Sequence, residues 1–258
     1  GTFNYTVTTT GGCPPATTTG TITVSVPNTA VVSFPQPQYC ISSSNVSVSL
    51  TGTGNYTGGT YSATPVGLSI NATSGEVSPS ASVPGNYTVS YLVPASGACS
   101  SYFVTTTITI TPLPTVIPTP SSDAFCSGGT TNIQLTSNIP GATFSWTVTG
   151  GNVVGASGGS GTSINQTLTT SAGTTTIVEV VYTIIAEANG CAGLPVEVRV
   201  RVTPIPDLTI ASSTAPICSG ETTNISFTGT IPGTVFSWVV TNVTGVAGAS
   251  NGTGTSIQ

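Results

Sequence analysis

The cysteines are the residues of this sequence best suited to chemistry. There are six of them: Cys13, Cys40, Cys99, Cys126, Cys191 and Cys218. The chain contains no His and no Cys-x-x-Cys pair, which the usual zinc and redox sites require. The cysteines therefore predict disulfides formed in an oxidising compartment, and an extracellular location.

Other reactive side chains are scarce. The chain has no His and no Lys, its basic residues are Arg199 and Arg201, and seven residues are acidic. The acids are scattered along the chain: Glu76, Asp123, Glu179, Glu187, Glu197, Asp207 and Glu221. A paired-carboxylate glycosidase site would need two of them to meet. General acid–base and nucleophilic catalysis need groups that are missing here, so we expect no enzyme, no catalytic residue, no metal site and no cofactor.

Charge and hydropathy exclude two further classes of partner. Only 3% of the residues are charged and the net charge is −5, so no basic patch is available for nucleic acid. No apolar run approaches the roughly 18–20 residues that span a bilayer, which predicts no membrane insertion. The chain also opens without Met or a signal sequence, and we interpret it as an internal piece of a longer protein.

The sequence repeats itself at an offset of 92 residues. Three motifs recur in order: Cys126-Ser127-Gly128 as Cys218-Ser219-Gly220, Ile139-Pro140-Gly141 as Ile231-Pro232-Gly233, and Phe144-Ser145-Trp146 as Phe236-Ser237-Trp238. The distance of 27 residues from Cys13 to Cys40 also separates Cys99 from Cys126 and Cys191 from Cys218. With the proline-rich stretches inside these intervals, the pattern predicts four modules: part of one (1–27), two complete ones (28–112 and 113–204) and part of a fourth (205–258).

Alternating residues predict strands and almost no helix. Val196 to Val202 alternates Val with charged residues, and 107–111 and 21–26 alternate apolar residues with Thr or Ser before the other boundaries. Short strands separated by Gly, Pro and Asn turns favour an all-β fold of tandem immunoglobulin-like (PKD-like) sandwiches in an extended rod. Trp146 and Trp238 lie within predicted strands, where a core position is favoured over carbohydrate stacking.

The residues leave two disulfide pairings open among Cys40, Cys99, Cys126 and Cys191. The simpler one pairs cysteines within a module, Cys40 with Cys99 and Cys126 with Cys191. In an immunoglobulin strand order, however, those corners lie at opposite ends of a sandwich, too far apart for a disulfide. That order would instead pair Cys40 with Cys191 as a clamp between successive modules.

Several motifs resemble repeats of giant surface adhesins of Bacteroidota. In residues 39–99 they are Gly59-Thr60-Tyr61, Thr73-Ser74-Gly75-Glu76-Val77, Pro84-Gly85-Asn86-Tyr87-Thr88-Val89 and Gly97-Ala98-Cys99. The flanking Cys-Ser-Gly, Ile-Pro-Gly and Phe-Ser-Trp motifs, with Gly11-Gly12-Cys13-Pro14-Pro15, are similar to the PKD-like repeats of those adhesins. The resemblance covers nearly the whole chain.

The resemblance implies a stalk or adhesive repeat region of a secreted surface protein. It further implies type IX secretion, outer-membrane display, surface attachment and gliding motility, with surface polysaccharide or another substratum and the motility or secretion machinery as partners. The chain lacks the sorting domain of type IX substrates and an acidic calcium cluster. Two alternatives stay open: a carbohydrate-binding module of a secreted enzyme, with exposed Tyr56, Tyr61, Tyr91 and Tyr102, and a subunit of a self-assembling filament.

Overall fold

The computed structural model describes residues 1–97, 99–120, 124–212 and 216–258. Its contacts divide the chain into two compact units, Gly1–Leu113 with Asn189–Cys191, and Pro114–Ala188 with Ala192–Gln258. In the described part, the helical content is one 3-10 turn, Pro79–Ala81. The predicted all-β class is confirmed.

The first unit contains eight strands: β1 Thr2–Thr8, β2 Thr17–Thr23, β3 Thr29–Ser33, β4 Gln38–Cys40, β5 Ser49–Thr53, β6 Thr60–Thr64, β7 Gly85–Val93 and β8 Tyr102–Thr111. Strands β1 and β2 form an antiparallel hairpin, and β3 pairs with β5. A four-stranded sheet has the order β4-β8-β7-β6, in which β4 runs parallel to β8.

The core of the first unit follows from the alternation along β7. Tyr87, Val89, Tyr91 and Val93 are buried, whereas Asn86, Thr88 and Leu92 are exposed. Ala30 and Val32 of β3 belong to the same buried cluster. Side chains from the two sheets therefore meet between them, as the two layers of a β-sandwich do.

The other strands lie in the second unit, except that Cys191 of β19 belongs to the first. They are β9 Ile117–Pro120, β10 Ala124–Cys126, β11 Gly129–Thr130, β12 Ile133–Thr136, β13 Thr143–Thr149, β14 Val153–Val154, β15 Gly159–Ser160, β16 Ser163–Ile164, β17 Thr167–Thr170, β18 Val178–Ala188, β19 Cys191–Ala192, β20 Val196–Thr203, β21 Thr209–Ser212, β22 Ile225–Thr228, β23 Ser237–Trp238, β24 Gly252–Thr253 and β25 Ser256–Ile257. The largest sheet has the order β10-β20-β18-β13-β15, with β19 beside β18. Two three-stranded sheets, β16-β12-β9 and β11-β17-β14, accompany it.

A second core lies among these sheets. Val198, Val200 and Val202 of β20 are buried, while Arg199 and Arg201 between them are exposed, as the alternation predicts. The buried cluster also contains Tyr182, Ile184 and Trp146 from the neighbouring strands and Ile133, Leu135 and Ile164 from the smaller sheet. The immunoglobulin-like sandwich prediction is thereby confirmed.

The sequence repeat reappears as a repeat of strand pairing. Strands β21, β22 and β25 form a three-stranded sheet in the order β21-β22-β25, as β9, β12 and β16 do. Ile225 lies opposite Ile257 just as Ile133 lies opposite Ile164. Equivalent residues therefore take equivalent pairing positions, while the four module boundaries stay a prediction.

Candidate functional site

The cysteine junction is formed by Cys40 and Cys191. Their sulfurs form a disulfide, with the two Cα atoms 5.7 Å apart and a sequence separation of 151 residues. Cys191 is buried and Cys40 is half-buried. The bond therefore covalently joins sequence from the predicted module 28–112 to sequence from the predicted module 113–204.

Cys191 directly follows a tight turn. Asn189 and Gly190, which precede it, both have positive φ, 52° and 73°. Hairpin turns of this kind favour Asn-Gly, because Asn tolerates and Gly freely adopts the left-handed region. The turn joins β18 to β19, so Cys191 lies at the tip of a hairpin.

Two contacts accompany the bond. The side-chain amide of Gln38 donates a hydrogen bond of 2.6 Å to the carbonyl oxygen of Asn189. The sulfur of Cys40 lies 3.7 Å from the carbonyl oxygen of Gly190. A disulfide sulfur carries no proton, so this second approach is a packing contact and not a hydrogen bond. Gln38 therefore supplies the polar bond of the junction.

The pairings within a module, Cys40 with Cys99 and Cys126 with Cys191, are absent. Cys126 lies opposite Thr203, the last residue of β20, whereas Cys191 precedes the start of that strand. A strand of this length spans about 25 Å at roughly 3.3 Å per residue, far beyond the reach of a disulfide. Cys40 lies opposite Thr111 at the end of β8, so Cys99 is excluded in the same way. Of the two pairings left open by the sequence, the structure contains Cys40–Cys191.

Four cysteines are free thiols. Cys13, Cys126 and Cys218 are exposed, and Cys99 is half-buried. Cys13 lies between β1 and β2, and Cys99 lies between β7 and β8. Both therefore occupy the connection between two adjacent antiparallel strands, as Cys191 does.

Trp146 lies in the core of the second unit. Its side chain is 8% exposed, and its indole nitrogen donates a hydrogen bond of 3.2 Å to the carbonyl oxygen of Ser157. Gly159 lies opposite Trp146 in the pairing of β13 with β15. A Cβ atom at Gly159 would lie 2.9 Å from the indole ring, so the bare backbone leaves room for the ring.

Gln166 connects this indole environment to Tyr182. Its side-chain amide nitrogen donates to the carbonyl oxygen of Ser157 at 2.7 Å. Its amide oxygen accepts the Tyr182 hydroxyl at 2.9 Å. Burial raises the pKa of Tyr182, so the phenol stays a neutral donor. Sequence reasoning missed this network, because a single Gln in a polar segment gives no periodic signal.

Trp238 repeats the local geometry of Trp146 in a more exposed setting. Its indole nitrogen donates to the carbonyl oxygen of Ser250 at 3.0 Å, and Gly252 lies opposite it. Trp238 is half-buried and contacts Phe227, with ring centroids 5.7 Å apart. The same residue types thus form the same local unit at both tryptophans.

Two of the acidic residues, Glu179 and Glu197, bond the same arginine. Arg199 on β20 bonds Glu179 of β18 at 2.6 Å and Glu197 of its own strand at 2.8 Å. Hydrogen bonding to Glu179, and then to Glu197, raises the pKa of Arg199. All three side chains are largely exposed on a sheet face, and surface ion pairs of this kind contribute little stability. Asp123 lies outside the described residues.

The tyrosines named for a carbohydrate platform do not form one. Tyr61 and Tyr91 are buried, with ring centroids 4.5 Å apart and planes tilted by 38°. The Tyr91 hydroxyl accepts the Gly59 amide at 2.8 Å and donates to the carbonyl oxygen of Tyr56 at 3.0 Å. Tyr56 and Tyr102 are half-buried. The carbohydrate-binding alternative requires these rings to be exposed, and the alternation along β6 and β7 instead turns Tyr61 and Tyr91 inward.

Within the part of the chain that the structure describes, no three His, Cys, Asp or Glu side chains come together as metal ligands. Among the same residues, no helix has the length and apolar character to cross a bilayer.

Comparison with known proteins gives one family match. The family model described as "PKD-like domain" matches residues 123–206. Comparison with curated protein sequences gives no match.

Several solved structures are similar at low identity. Mouse cadherin-23 repeats EC22–24 are 14% identical, with a TM-score of 0.37 over 79% of this chain and 74% of that one. The N-terminal eight immunoglobulin domains of Down syndrome cell adhesion molecule are 14% identical, with a TM-score of 0.43 over 79% of this chain and 28% of that one. Titin domains I67–I69 are 11% identical, with a TM-score of 0.38 over 79% and 75%. The sheets and the two buried cores of this chain are those of immunoglobulin-like β-sandwiches, and residues 123–206 match the PKD-like domain family.

Proposed function

We propose that this chain is the stalk and adhesive repeat region of a large secreted cell-surface adhesin that mediates surface attachment and gliding motility. The observation that carries the proposal is the disulfide between Cys40 and Cys191, which covalently joins residues of the predicted modules 28–112 and 113–204. Disulfides persist in oxidising, extracellular environments. A repeat array stapled in this way suits a spacer that must keep its length outside the cell.

The surface chemistry supports a neutral contact with a substratum. Charged residues make up 3% of the chain, and the outward positions of β8 are largely Thr, including Thr105, Thr107 and Thr109. Hydroxyl-rich faces hydrogen-bond well to polysaccharide and need no counter-charge. The proposed partners are a surface polysaccharide or other substratum, and the motility or type IX secretion machinery at the outer membrane.

A non-catalytic role is part of the proposal. The acidic side chains that meet, Glu179 and Glu197, are both bonded to Arg199 on an open sheet face. A paired-carboxylate hydrolase needs two carboxyl groups free to act on the bond that it cleaves, whereas one guanidinium holds both of these carboxylates. The buried Tyr61 and Tyr91 count against the carbohydrate-binding alternative, which needs exposed rings.

The test is an exchange of repeats in the source cells. Deletion of residues 28–204 from the whole protein is expected to reduce attachment of cells to glass and agarose under flow. Replacing them with two unrelated β-sandwich domains distinguishes a spacer from a binding surface, because it restores attachment only if the repeats act through length. An antibody against another part of the protein controls for display. Undiminished attachment after the deletion, with display intact, would overturn the proposal.

A further inference from the structure

Two of the cysteines occupy the same position in two sandwiches. Cys40 ends β4, parallel to β8, and lies opposite Thr111. Cys126 ends β10, parallel to β20, and lies opposite Thr203. The amide of the next residue donates to that Thr carbonyl in both cases, at 2.9 Å from Ile41 and at 2.8 Å from Ser127. The backbone therefore places the two thiols equivalently.

Cys218 takes a related place by sequence and turn geometry. The motif Cys-Ser-Gly at 218–220 repeats the one at 126–128, and Gly220 and Gly128 have φ values of 90° and 88°. We call Cys40, Cys126 and Cys218 the entry cysteines, because each precedes most strands of its repeat.

The other three cysteines also share one place. Cys13, Cys99 and Cys191 lie in the connections from β1 to β2, from β7 to β8 and from β18 to β20. Each lies 27 residues before an entry cysteine. We call them the hairpin cysteines. The six cysteines thus form two structural classes, and the one disulfide joins a member of each class.

An entry cysteine cannot reach the hairpin cysteine of its own repeat. The last strand of the repeat separates them, and β8 and β20 contain 10 and 8 residues. At about 3.3 Å per residue these strands span roughly 25 Å or more, whereas disulfide-bonded Cα atoms lie about 4.4–6.8 Å apart. The observed bond satisfies this constraint by joining Cys40 to the hairpin cysteine of the following repeat.

We propose that every entry cysteine forms this bond with the hairpin cysteine of the repeat that follows it. Cys126 and Cys218 then bond hairpin cysteines in sequence beyond residue 258, and Cys13 and Cys99 receive bonds from entry cysteines before residue 1. The four thiols are exposed or half-buried and are free in this chain, so each is available to such a partner. Cys126 is the strongest case, because its backbone position matches that of Cys40.

The chemistry of each bond is a thiol–disulfide exchange. Two protein thiols form one S–S bond and lose two protons and two electrons. The oxidant is a low-molecular-weight or protein disulfide, which is reduced to two thiols. The attacking species is a thiolate, and because the four free cysteines are exposed or half-buried, the oxidant can reach them.

The proposed bonds overlap along the chain. Cys126 lies between Cys40 and Cys191, so a bond from Cys126 to a later repeat begins inside the loop that Cys40–Cys191 closes. Every residue from Cys40 onward then lies within at least one closed loop. A pull on the two ends then passes through the staples and through the segments that join each hairpin cysteine to the next entry cysteine, such as 191–218. The residues between an entry cysteine and the hairpin cysteine of its own repeat lie off this path. This consequence follows from covalent connectivity alone.

The test is a disulfide map of the whole protein isolated from its cells. Free thiols are blocked with N-ethylmaleimide at harvest, and the protein is digested with pepsin at acid pH, where thiolate exchange is slow. Trypsin is unsuitable because the chain has two Arg and no Lys. We expect the Cys126 peptide to be linked to a peptide with a hairpin cysteine of the following repeat. A maleimide-labelled Cys126, or a link to Cys99, Cys191 or another entry cysteine, would overturn the inference.

A variant identifies the partner independently. In the whole protein, Cys126→Ser is expected to expose one new maleimide-reactive thiol, at the hairpin cysteine of the following repeat. Cys40–Cys191 should remain intact and serves as the internal control. No new thiol, or one at any other position, would contradict the proposal. The inference rests on the repeat and not on the adhesive role, so the disulfide map and the attachment assay can fail separately.

Discussion

Trp146 and Trp238 occupy equivalent positions in two repeats, yet one is buried and the other is half-buried. Both rings lie opposite a glycine, and both donate the indole N–H to a Ser carbonyl, at 3.2 and 3.0 Å. The local unit of tryptophan, glycine and serine is therefore a property of neighbouring strands. It forms the same way in both settings.

Burial of the ring comes from more distant sequence. The strand of Trp146 pairs with β15 on one side and with β18 on the other, over seven residue pairs from Thr143 to Thr149. The strand of Trp238 is paired with β24, and no second partner strand is present among the described residues. The local motifs therefore specify the hydrogen bond and the glycine facing each ring, whereas the two long strands β18 and β20 add the burial of Trp146.

Replacing each tryptophan by Ala tests whether the long strands bury Trp146 more firmly than Trp238, and we expect it to give the largest change in the free energy of unfolding. Trp146→Ala should lower the free energy of unfolding by about 3–5 kcal/mol, because it leaves a cavity in a closed core. Trp238→Ala removes a half-exposed ring and should cost about 1–2 kcal/mol. Urea unfolding followed by circular dichroism measures both. Equal losses would show that the long strands contribute little to the burial energy of Trp146.

The two repeats also differ in their disulfides. The repeat of Trp146 contains the bonded Cys191, whereas Cys218 in the repeat of Trp238 is free. Replacing Cys40 and Cys191 together by Ser should lower the free energy of unfolding by about 2–5 kcal/mol, because the unfolded chain regains the freedom of a long closed loop.

The matched control for the disulfide replaces Cys13 and Cys126 by Ser. Both thiols are exposed and unbonded within residues 1–258, so in that chain, without the neighbouring repeats that would supply their partners, the change should stay within about 0.5 kcal/mol. Urea midpoints under non-reducing conditions compare the two double variants. A control as unstable as the disulfide variant would show that the loss comes from the serines and not from the bond.

The glycines facing the rings give a smaller effect, for which geometry and burial predict opposite rankings. A Cβ at Gly252 would lie 2.3 Å from the Trp238 ring, closer than the 2.9 Å between a Cβ at Gly159 and Trp146. We expect Gly159→Ala to cost more, about 1–3 kcal/mol, because the buried ring cannot move aside. The half-exposed Trp238 can rotate, so Gly252→Ala should cost under about 1 kcal/mol.

Gly151→Ala is the control for the glycine pair. A Cβ at Gly151 meets no atom within 4 Å, so this variant reports only the backbone effect of adding a methyl group. Thermal unfolding of the three variants measures the ranking. A larger loss for Gly252→Ala would mean that contact distance, and not burial, decides the cost.

Periodicity and the repeat predicted more of the fold than of the site. Alternation in β20 predicted which Val are buried, and the same rule applied to Tyr87, Val89, Tyr91 and Val93 would have placed Tyr91 in the core. The equal spacing of the cysteines predicted the modules but no unique pairing. Pairing depends on which corners of a sandwich the chain reaches, and sequence distance does not contain that information.

Contacts that depend on the register between paired strands could not be predicted from the sequence either. Glu197 and Arg199 lie two residues apart on one strand face, so their meeting follows from alternation. Glu179 reaches Arg199 only because β18 pairs with β20 in one register, in which Val181 lies opposite Arg199. The Gln166 network depends in the same way on strands that are not neighbours in sequence.

The smallest predicted effect lies where each repeat begins. In one repeat the Asn138 side-chain oxygen accepts the Thr115 amide at 2.8 Å. In the next repeat the residue types are exchanged, and Asp207 accepts the Thr230 amide at 2.6 Å and the Thr230 hydroxyl at 2.7 Å. These bonds from Thr230 hold the pKa of Asp207 below its ordinary value of 3.8. The repeat with Asp should therefore respond to acid, and the repeat with Asn should not.

The contribution of Asp207 to stability should fall in acid, because the pKa of its carboxyl group is lowered in the folded state. The folded state favours the Asp207 carboxylate, so its stabilising contribution is fully present above the ordinary pKa of 3.8 and is lost as pH falls through the lower folded value. Asp207→Asn keeps an oxygen that can accept both Thr230 bonds, so it should leave stability near neutral pH almost unchanged and remove this acid response. Chemical shifts of the Thr230 and Thr115 amides, titrated from pH 6 to 2, report the two repeats separately. A Thr230 amide that titrates alike in both proteins would show that the carboxylate does not control this bond.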